Sequence, residues 1–249
     1  MSSCLVAVVA GVGRGTGSAI AHKFASQYLV VCLARNLESY EEVVSNINKS
    51  GGNAIGVTTD LSSAKSVKSS FDRLEMELGG DFGISAAVFN ASTRPVCKPF
   101  LELTEDEYAG GYDILGRGAF LFAQATLPRL VKLVNVSSHP SSLIFTGATA
   151  SIKSFAEFVS FSNGKWVLRS LAQSFAKEFG PQGVQVAHTI IDGVIGIPTT
   201  VQAMKEAGKD TQDTLISPEA IVDAYWYLHT QPKSAFSWEI DIRPFGEKW

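Results

Sequence analysis

Leu5-Val6-Ala7-Val8-Val9-Ala10-Gly11-Val12-Gly13-Arg14-Gly15-Thr16-Gly17 decides the fold. Its opening run, Leu5 to Val9, is apolar and rich in valine, the composition of a strand buried on both faces. Glycines then stand at positions 11, 13, 15 and 17. From Ser18 to Ala25 the apolar residues Ala19, Ile20 and Phe24 recur at helical spacing. A strand, a glycine turn and a helix in this order form a dinucleotide-binding unit. The glycines let the backbone turn tightly and approach a pyrophosphate, and the helix N-terminus offers N–H groups and a positive dipole end.

The spacing Gly11-x-x-x-Gly15-x-Gly17 resembles that of the short-chain dehydrogenase/reductase family, with Ala10 where that family usually carries Thr. The resemblance implies an α/β fold: a Rossmann-type, doubly wound parallel sheet of about seven strands in three layers. It also implies one cofactor-binding domain over residues 1–249. The bulk numbers agree. A chain of 249 residues with 45% hydrophobic content is ample for one large core. A net charge of −3 gives no sign of a nucleic-acid or anionic-membrane partner. Cys4, Cys32 and Cys97 are odd in number and read as reduced thiols, with no zinc-ligand spacing and no metal expected. The sequence shows neither a secretory leader nor an apolar stretch of the ~18 residues a membrane helix needs, so a cytoplasmic protein is expected.

The second strand, Leu29 to Ala34, ends at Arg35, and no acid follows until Glu38. An acidic residue there would bind the adenosine ribose and repel a 2′-phosphate. Arg35 and Arg14 instead suit a phosphate, through charge-assisted bonds, so the expected cofactor is NADP(H). A helix from Leu37 to Ser50 and a strand from Ala54 to Thr59 follow. Asp60-Leu61 then matches the pair that holds the adenine edge in the family; Asp60, Ser62 and Ser63 equally read as caps for a helix over Ala64–Leu78. After the strand Ile84–Phe89, Asn90-Ala91-Ser92 resembles the family's Asn-Ala-Gly, which lines the cofactor.

Thr104 reads as the cap of a long helix running toward Leu127-Pro128. In the family this helix presents an Asn to the active site; here the matching position is Leu115, or Asp113 in a shifted register, and Arg117 is expected to face solvent. Val134–Ser138 imitates the next strand, but the run from Ser142 to Ser151 is the better one, which makes the first run a loop. The arbiter is the periodic helix that carries Phe161-Ser162-Asn163-Gly164-Lys165. It resembles the family's active-site helix, where Tyr-x-x-x-Lys places a phenol and an ammonium one turn apart. Lys165 fills the Lys position, Phe161 the Tyr position and Ala148 the Ser position. The usual acid and its partner are thus replaced.

Ile190-Ile191-Asp192-Gly193-Val194-Ile195 occupies the place of the family's Pro-Gly segment, which binds the nicotinamide carboxamide. The expected site is therefore Lys165 and Asp192 as catalytic groups. Its cofactor contacts are Gly11, Gly13, Arg14, Gly15, Thr16, Gly17, Arg35, Asp60, Leu61, Asn90, Ala91, Ser92, Lys165, Gly193, Val194 and Ile195. Ile197–Leu215 falls where relatives place a substrate lid, Pro218–His229 reads as a helix and Phe236–Ile242 as a last strand. His22, His139, His188 and His229 read as structural. The resemblance implies an oxidoreductase of an atypical branch, acting on an imine, an iminium or an unusual carbonyl. Two alternatives stay open: ring closure without net redox, as in some alkaloid-forming members of this fold, and an NADP(H)-binding protein that catalyses nothing. Relatives pair their long helices, so a homodimer or homotetramer is expected.

Overall fold

The computed structural model describes residues 5–80, 82–209, 211 and 213–246. Cys4 lies outside them, as do positions 210 and 212 of the lid stretch. The valine-rich opening forms β1 (Val6–Ala10), one residue later than its composition suggests, and the glycine turn leads into α1 (Thr16–Phe24). The same alternation repeats with β2 (Leu29–Ala34), α2 (Leu37–Lys49), β3 (Asn53–Thr58), α3 (Ala64–Leu78) and β4 (Ile84–Phe89). Ser63 caps α3 by accepting from the Ser66 N–H at 3.2 Å. Then come α4 (Glu105–Tyr112), a π-helical turn (Asp113–Gly118) and α5 (Ala119–Leu133). Thr104 and Glu107 close a reciprocal capping box at the start of α4. Pro128 lies inside α5 without ending it, so the helix runs past Leu127-Pro128.

Val134–Ser138 lies in turns outside the sheet, and the fifth strand is β5 (Ser142–Thr146). The chain continues through α6 (Val159–Phe179), β6 (Gln185–Ile191), β7 (Val194–Ile195), α7 (Pro198–Glu206), β8 (Leu215–Ile216), α8 (Pro218–His229) and β9 (Glu239–Ile242). The last strand is shorter than the run from Phe236 suggests, because the Ser237 N–H donates to the Gln231 side chain at 2.9 Å.

The central sheet has seven parallel strands in the order β3-β2-β1-β4-β5-β6-β9, a doubly wound arrangement. The strand order reverses direction between β1 and β4, where ligand crevices form in open α/β sheets. Alternate side chains of β1 show why both faces are covered. Val6, Val8 and Ala10 join the core packed by α3, α5 and α6, while Ala7 and Val9 join the core packed by α1, α2 and α8. These are the outer two of three layers. Cys32 is buried and Cys97 exposed, neither in a disulfide. Among the described residues no helix is long and apolar enough to cross a membrane.

Candidate active site

The glycine turn at the end of β1 is tight for a steric reason. Gly11 has φ +84°, and a Cβ there would come within 2.5 Å of the Ala91 backbone. A Cβ on Gly17 would overlap the Gly11 carbonyl, whereas one on Gly13 would meet only open space. No side chain caps the N-terminus of α1, so its dipole end is left toward the turn. Asn90, just past β4, ties three strand ends together. Its N–H bonds the Ala10 carbonyl at 2.9 Å, its Nδ2 donates to the Gly11 carbonyl at 3.1 Å, and its Oδ1 accepts from Thr146 Oγ1 at 3.2 Å. Only a side chain with both a donor and an acceptor can bridge in this way.

A cleft of about 700 Å³ opens over these strand ends. The turn supplies Gly11, Gly13, Arg14, Gly15, Thr16 and Gly17; Asn90 and Ser92 follow from β4, and Gly193, Val194 and Ile195 from the loop after β6. Its floor is Thr146, Gly147 and Ala148 at the end of β5, with Phe161 and Lys165 one turn apart on α6. Lys165 is buried, and its Nζ donates to the Thr146 carbonyl at 2.8 Å, lying 5.6 Å from the Phe161 ring centre. Burial pushes the Lys165 ammonium down to about 7. A second cavity of about 200 Å³ adjoins at the end of β2, lined by Gly11, Arg35, Asn36, Ser39, Leu61, Asn90, Ala91 and Ser92 among others.

The family profile for short chain dehydrogenases matches residues 5–208. The chain belongs to the short-chain dehydrogenase family. It is similar to an uncharacterized oxidoreductase of Staphylococcus aureus strain USA300, 27% identical over 245 residues that cover 96% of each chain. A short-chain dehydrogenase structure from Rhodopseudomonas palustris superposes with a TM-score of 0.76 at 28% identity, over 97% of this chain and 98% of that one. A metagenomic short-chain oxidoreductase in complex with NADP gives 0.78 at 24% identity, over 96% and 97%. This short-chain dehydrogenase is thus an oxidoreductase of a family that binds a nicotinamide cofactor. Its turn fits such a group: the glycines at 11 and 17 leave no room for a Cβ, Gly13 faces open space and α1 is uncapped.

The chain does not bring every expected site residue to the cleft. Asp192 does not line it. Its carboxylate accepts a hydrogen bond from Thr149 Oγ1 and lies 3.2 Å from Arg243 Nη2, while its N–H bonds the Ile242 carbonyl at 2.8 Å. Asp60 lines neither cavity and turns its carboxylate to the N–H and hydroxyl of Ser62. Arg14 and Arg35 border different cavities: Arg14 lines the cleft and lies 3.7 Å from Glu42 at the surface, and Arg35 borders the cavity beyond β2. Leu115 is fully buried in the π turn, and Asp113 lies 3.9 Å from Arg117, which is 56% exposed.

Several residues at the site give no warning in the sequence. Asn36 and Ser39 face the cavity beside Arg35, and Arg94 lines the cleft on the loop after β4. His188 on β6 is fully buried, with Nδ1 3.0 Å from Glu239 Oε2 and its Nε2 unpartnered. A Cβ on Gly147 would overlap this ring, so glycine there is set by His188 beneath it. Burial lowers the His188 imidazole to about 4 against the raising effect of Glu239, with Lys165 and Arg169 lowering it further. The one signal in the sequence is a histidine in a run, Val186 to Ile191, that is otherwise apolar but for Thr189.

Proposed function

We propose that this protein is an NADP(H)-dependent oxidoreductase that reduces an imine, an iminium or an unusual carbonyl without the phenol its family relies on. The observation that carries the reading is the cleft floor: Phe161 stands one turn before Lys165, with Ala148 beside them. A positioned general acid is worth roughly 10²–10⁴-fold in rate, and an aromatic ring without a hydroxyl supplies none of it. NADP(H) is favoured over NAD(H) because the cavity beyond β2 is lined by Arg35, Asn36 and Ser39 and by no carboxylate among the described residues.

In this reading the glycine turn and the α1 N-terminus take the pyrophosphate, Arg35 takes the 2′-phosphate, and Asn90 to Ser92 flank the cofactor. Lys165 holds the nicotinamide ribose and the backbone of Gly193 to Ile195 the carboxamide. The bound cofactor supplies the hydride. Asp60 and Asp192 are structural in this reading, since their carboxylates already serve Ser62 in the one case and Thr149 and Arg243 in the other. A second copy of the chain is the proposed partner, through the outer faces of α5 and α6.

The test is calorimetric titration with NADPH and NADH, followed by a panel of cyclohexanone, benzaldehyde and the cyclic imine methylpyrroline. NADPH should bind more tightly, the imine should turn over best, and Phe161→Tyr should raise the ketone rate by about tenfold or more. Tight NADPH binding with none of it oxidised by any probe would turn the assignment to a protein that binds the cofactor without spending it. Brisk ketone reduction left unchanged by Phe161→Tyr would end the reading of the floor.

A further inference from the structure

We propose that Lys165 itself carries the proton that the missing phenol would carry, so that its ε-ammonium is the catalytic acid of the cleft. The proposal rests on the functional reading above and names its proton source. The first support is elimination by geometry. Among the described residues that line the cleft, three bear ionisable side chains: Arg14, Arg94 and Lys165. A guanidinium keeps its proton at any ordinary pH, so Lys165 alone can release one. No Asp, Glu, His, Cys or Tyr is among the lining residues. The nearby groups do not replace it: the Asp192 carboxylate is held by Arg243 and accepts from the Thr149 hydroxyl, and Ser151, whose Oγ accepts from the Ala148 N–H at 3.1 Å, bears an alcohol too weakly acidic to give up a proton near neutral pH.

The second support is the setting of Nζ. It is buried, bonded to one carbonyl oxygen, and lies alongside the Phe161 ring, with no carboxylate bonded to it among the described residues. An ammonium so placed is destabilised relative to the neutral amine, which brings its pKa to about 7, where an acid both holds its proton and gives it up. The charged groups around α6 leave this balance to burial. His188 on β6 interacts with Lys165 but is itself neutral near pH 7, and Glu239 on β9 is bound by Arg169. On α4, Glu107 pairs with Lys98; in the π turn Asp113 pairs with Arg117; on α5 Arg129 pairs with Glu75. Glu105 and Asp106, on the first turn of α4, are exposed to solvent.

The step balances. As the carbonyl carbon gains hydride from NADPH, the π pair of the C=O bond passes to oxygen. The oxygen takes a proton from Nζ, one N–H bond breaks as one O–H bond forms, and Lys165 keeps the electron pair as a neutral amine. NADPH is oxidised, the carbonyl is reduced, and solvent returns the proton to Lys165. With an imine the proton goes to nitrogen by the same exchange.

The experiment has one arm without cofactor and one with it. In cofactor-free protein, competitive labelling by trace acetic anhydride, followed residue by residue by mass spectrometry, reads the titration of each lysine. Lys165 should titrate near neutral pH, well below an ordinary lysine; titration with the exposed lysines overturns the proposal. With NADPH and methylpyrroline, the rate should fall along an alkaline limb near the same pH. Lys165→Arg, which keeps the charge, should lose about a hundredfold in kcat and lose that limb, and adding Phe161→Tyr to it should restore part of the rate. A Lys165→Arg profile that keeps the limb overturns the proposal. If no probe oxidises NADPH, the functional reading fails, while the labelling arm still decides whether Lys165 exchanges its proton at neutral pH.

Discussion

Arg169 grips Glu239 at two points, Nε to Oε2 at 2.6 Å and Nη2 to Oε1 at 2.8 Å, joining α6 to the edge strand β9. Such a fork is the strongest geometry an arginine and a carboxylate can adopt. It sits one turn beyond Lys165 on the helix that floors the cleft. Burial would raise the Glu239 carboxyl, but the bonds and charge of Arg169, with His188, outweigh it and hold the group below the usual carboxylate range. Arg169→Ala leaves a mostly buried carboxylate with only the neutral His188 imidazole beside it and should cost about 2–4 kcal/mol, read by urea unfolding.

The same cluster makes the fold sensitive to acid. His188 is held near 4 in the folded chain, while an unfolded histidine titrates near 6.5. Between those values the unfolded chain takes up a proton that the folded chain refuses. Stability is therefore whole above about pH 6.5 and falls as the pH drops toward about 4, by roughly 3 kcal/mol from this group. His188→Gln should flatten that slope in unfolding curves taken across the window. An unchanged slope would mean that His188 is already charged in the fold.

The glycine turn offers a sharper test. Gly17→Ala drives a methyl into the Gly11 carbonyl, and Gly11→Ala adds a left-handed φ to a backbone clash with Ala91. Both should abolish NADPH binding by calorimetry and lower stability. Gly13→Ala meets nothing within 4 Å in the fold, so it should fold normally and lose affinity alone. Unchanged affinity in Gly13→Ala would place the pyrophosphate elsewhere.

Legibility in the sequence followed how local the cause is. Ile84–Phe89 is apolar but for Ser85 and bounded by Gly83 and Asn90, and the observed strand has those same ends. The Val134–Ser138 run was separable from a strand because α6 fixes the count back to β5. The π turn was not legible, since its register depends on Gly116 and Gly118 packing against Val167 and Leu61 from other elements. Nor was the direction of Asp192: its position follows from the chain, but its partner Arg243 comes from beyond the last strand. His188, Arg169 and Glu239 meet only once three separate elements are assembled.

Arg35 should set cofactor choice more than Arg14. Arg35 lines the cavity beyond β2, whereas Arg14 already shares its charge with Glu42 at 3.7 Å. Arg35→Ala should weaken NADPH about tenfold, or roughly 1.4 kcal/mol, and leave NADH unchanged. Arg14→Ala should cost less. Equal losses for the two cofactors would mean that Arg35 meets no 2′-phosphate.

The last prediction concerns a second copy of the chain. Phe120 on α5 and Trp166 on α6 are each 43% exposed. A groove of about 700 Å³ runs beside Phe120 between the two helices, lined by Phe120, Leu127, Val131, Phe175 and Phe179 among others. Leaving such a face in water forgoes about 25 cal/mol for each Å² of apolar surface, and a twofold axis lets one patch cover its own copy. Sedimentation at micromolar concentration should show a dimer or tetramer, and Phe120→Asp should shift it to monomer, because a carboxylate would be buried at the contact without a partner. NADPH affinity should survive the change, since Phe120 lines the helix groove and not the cleft. A parent protein that sediments as a monomer would remove the proposed partner. An oligomer indifferent to Phe120→Asp would place the contact on another face.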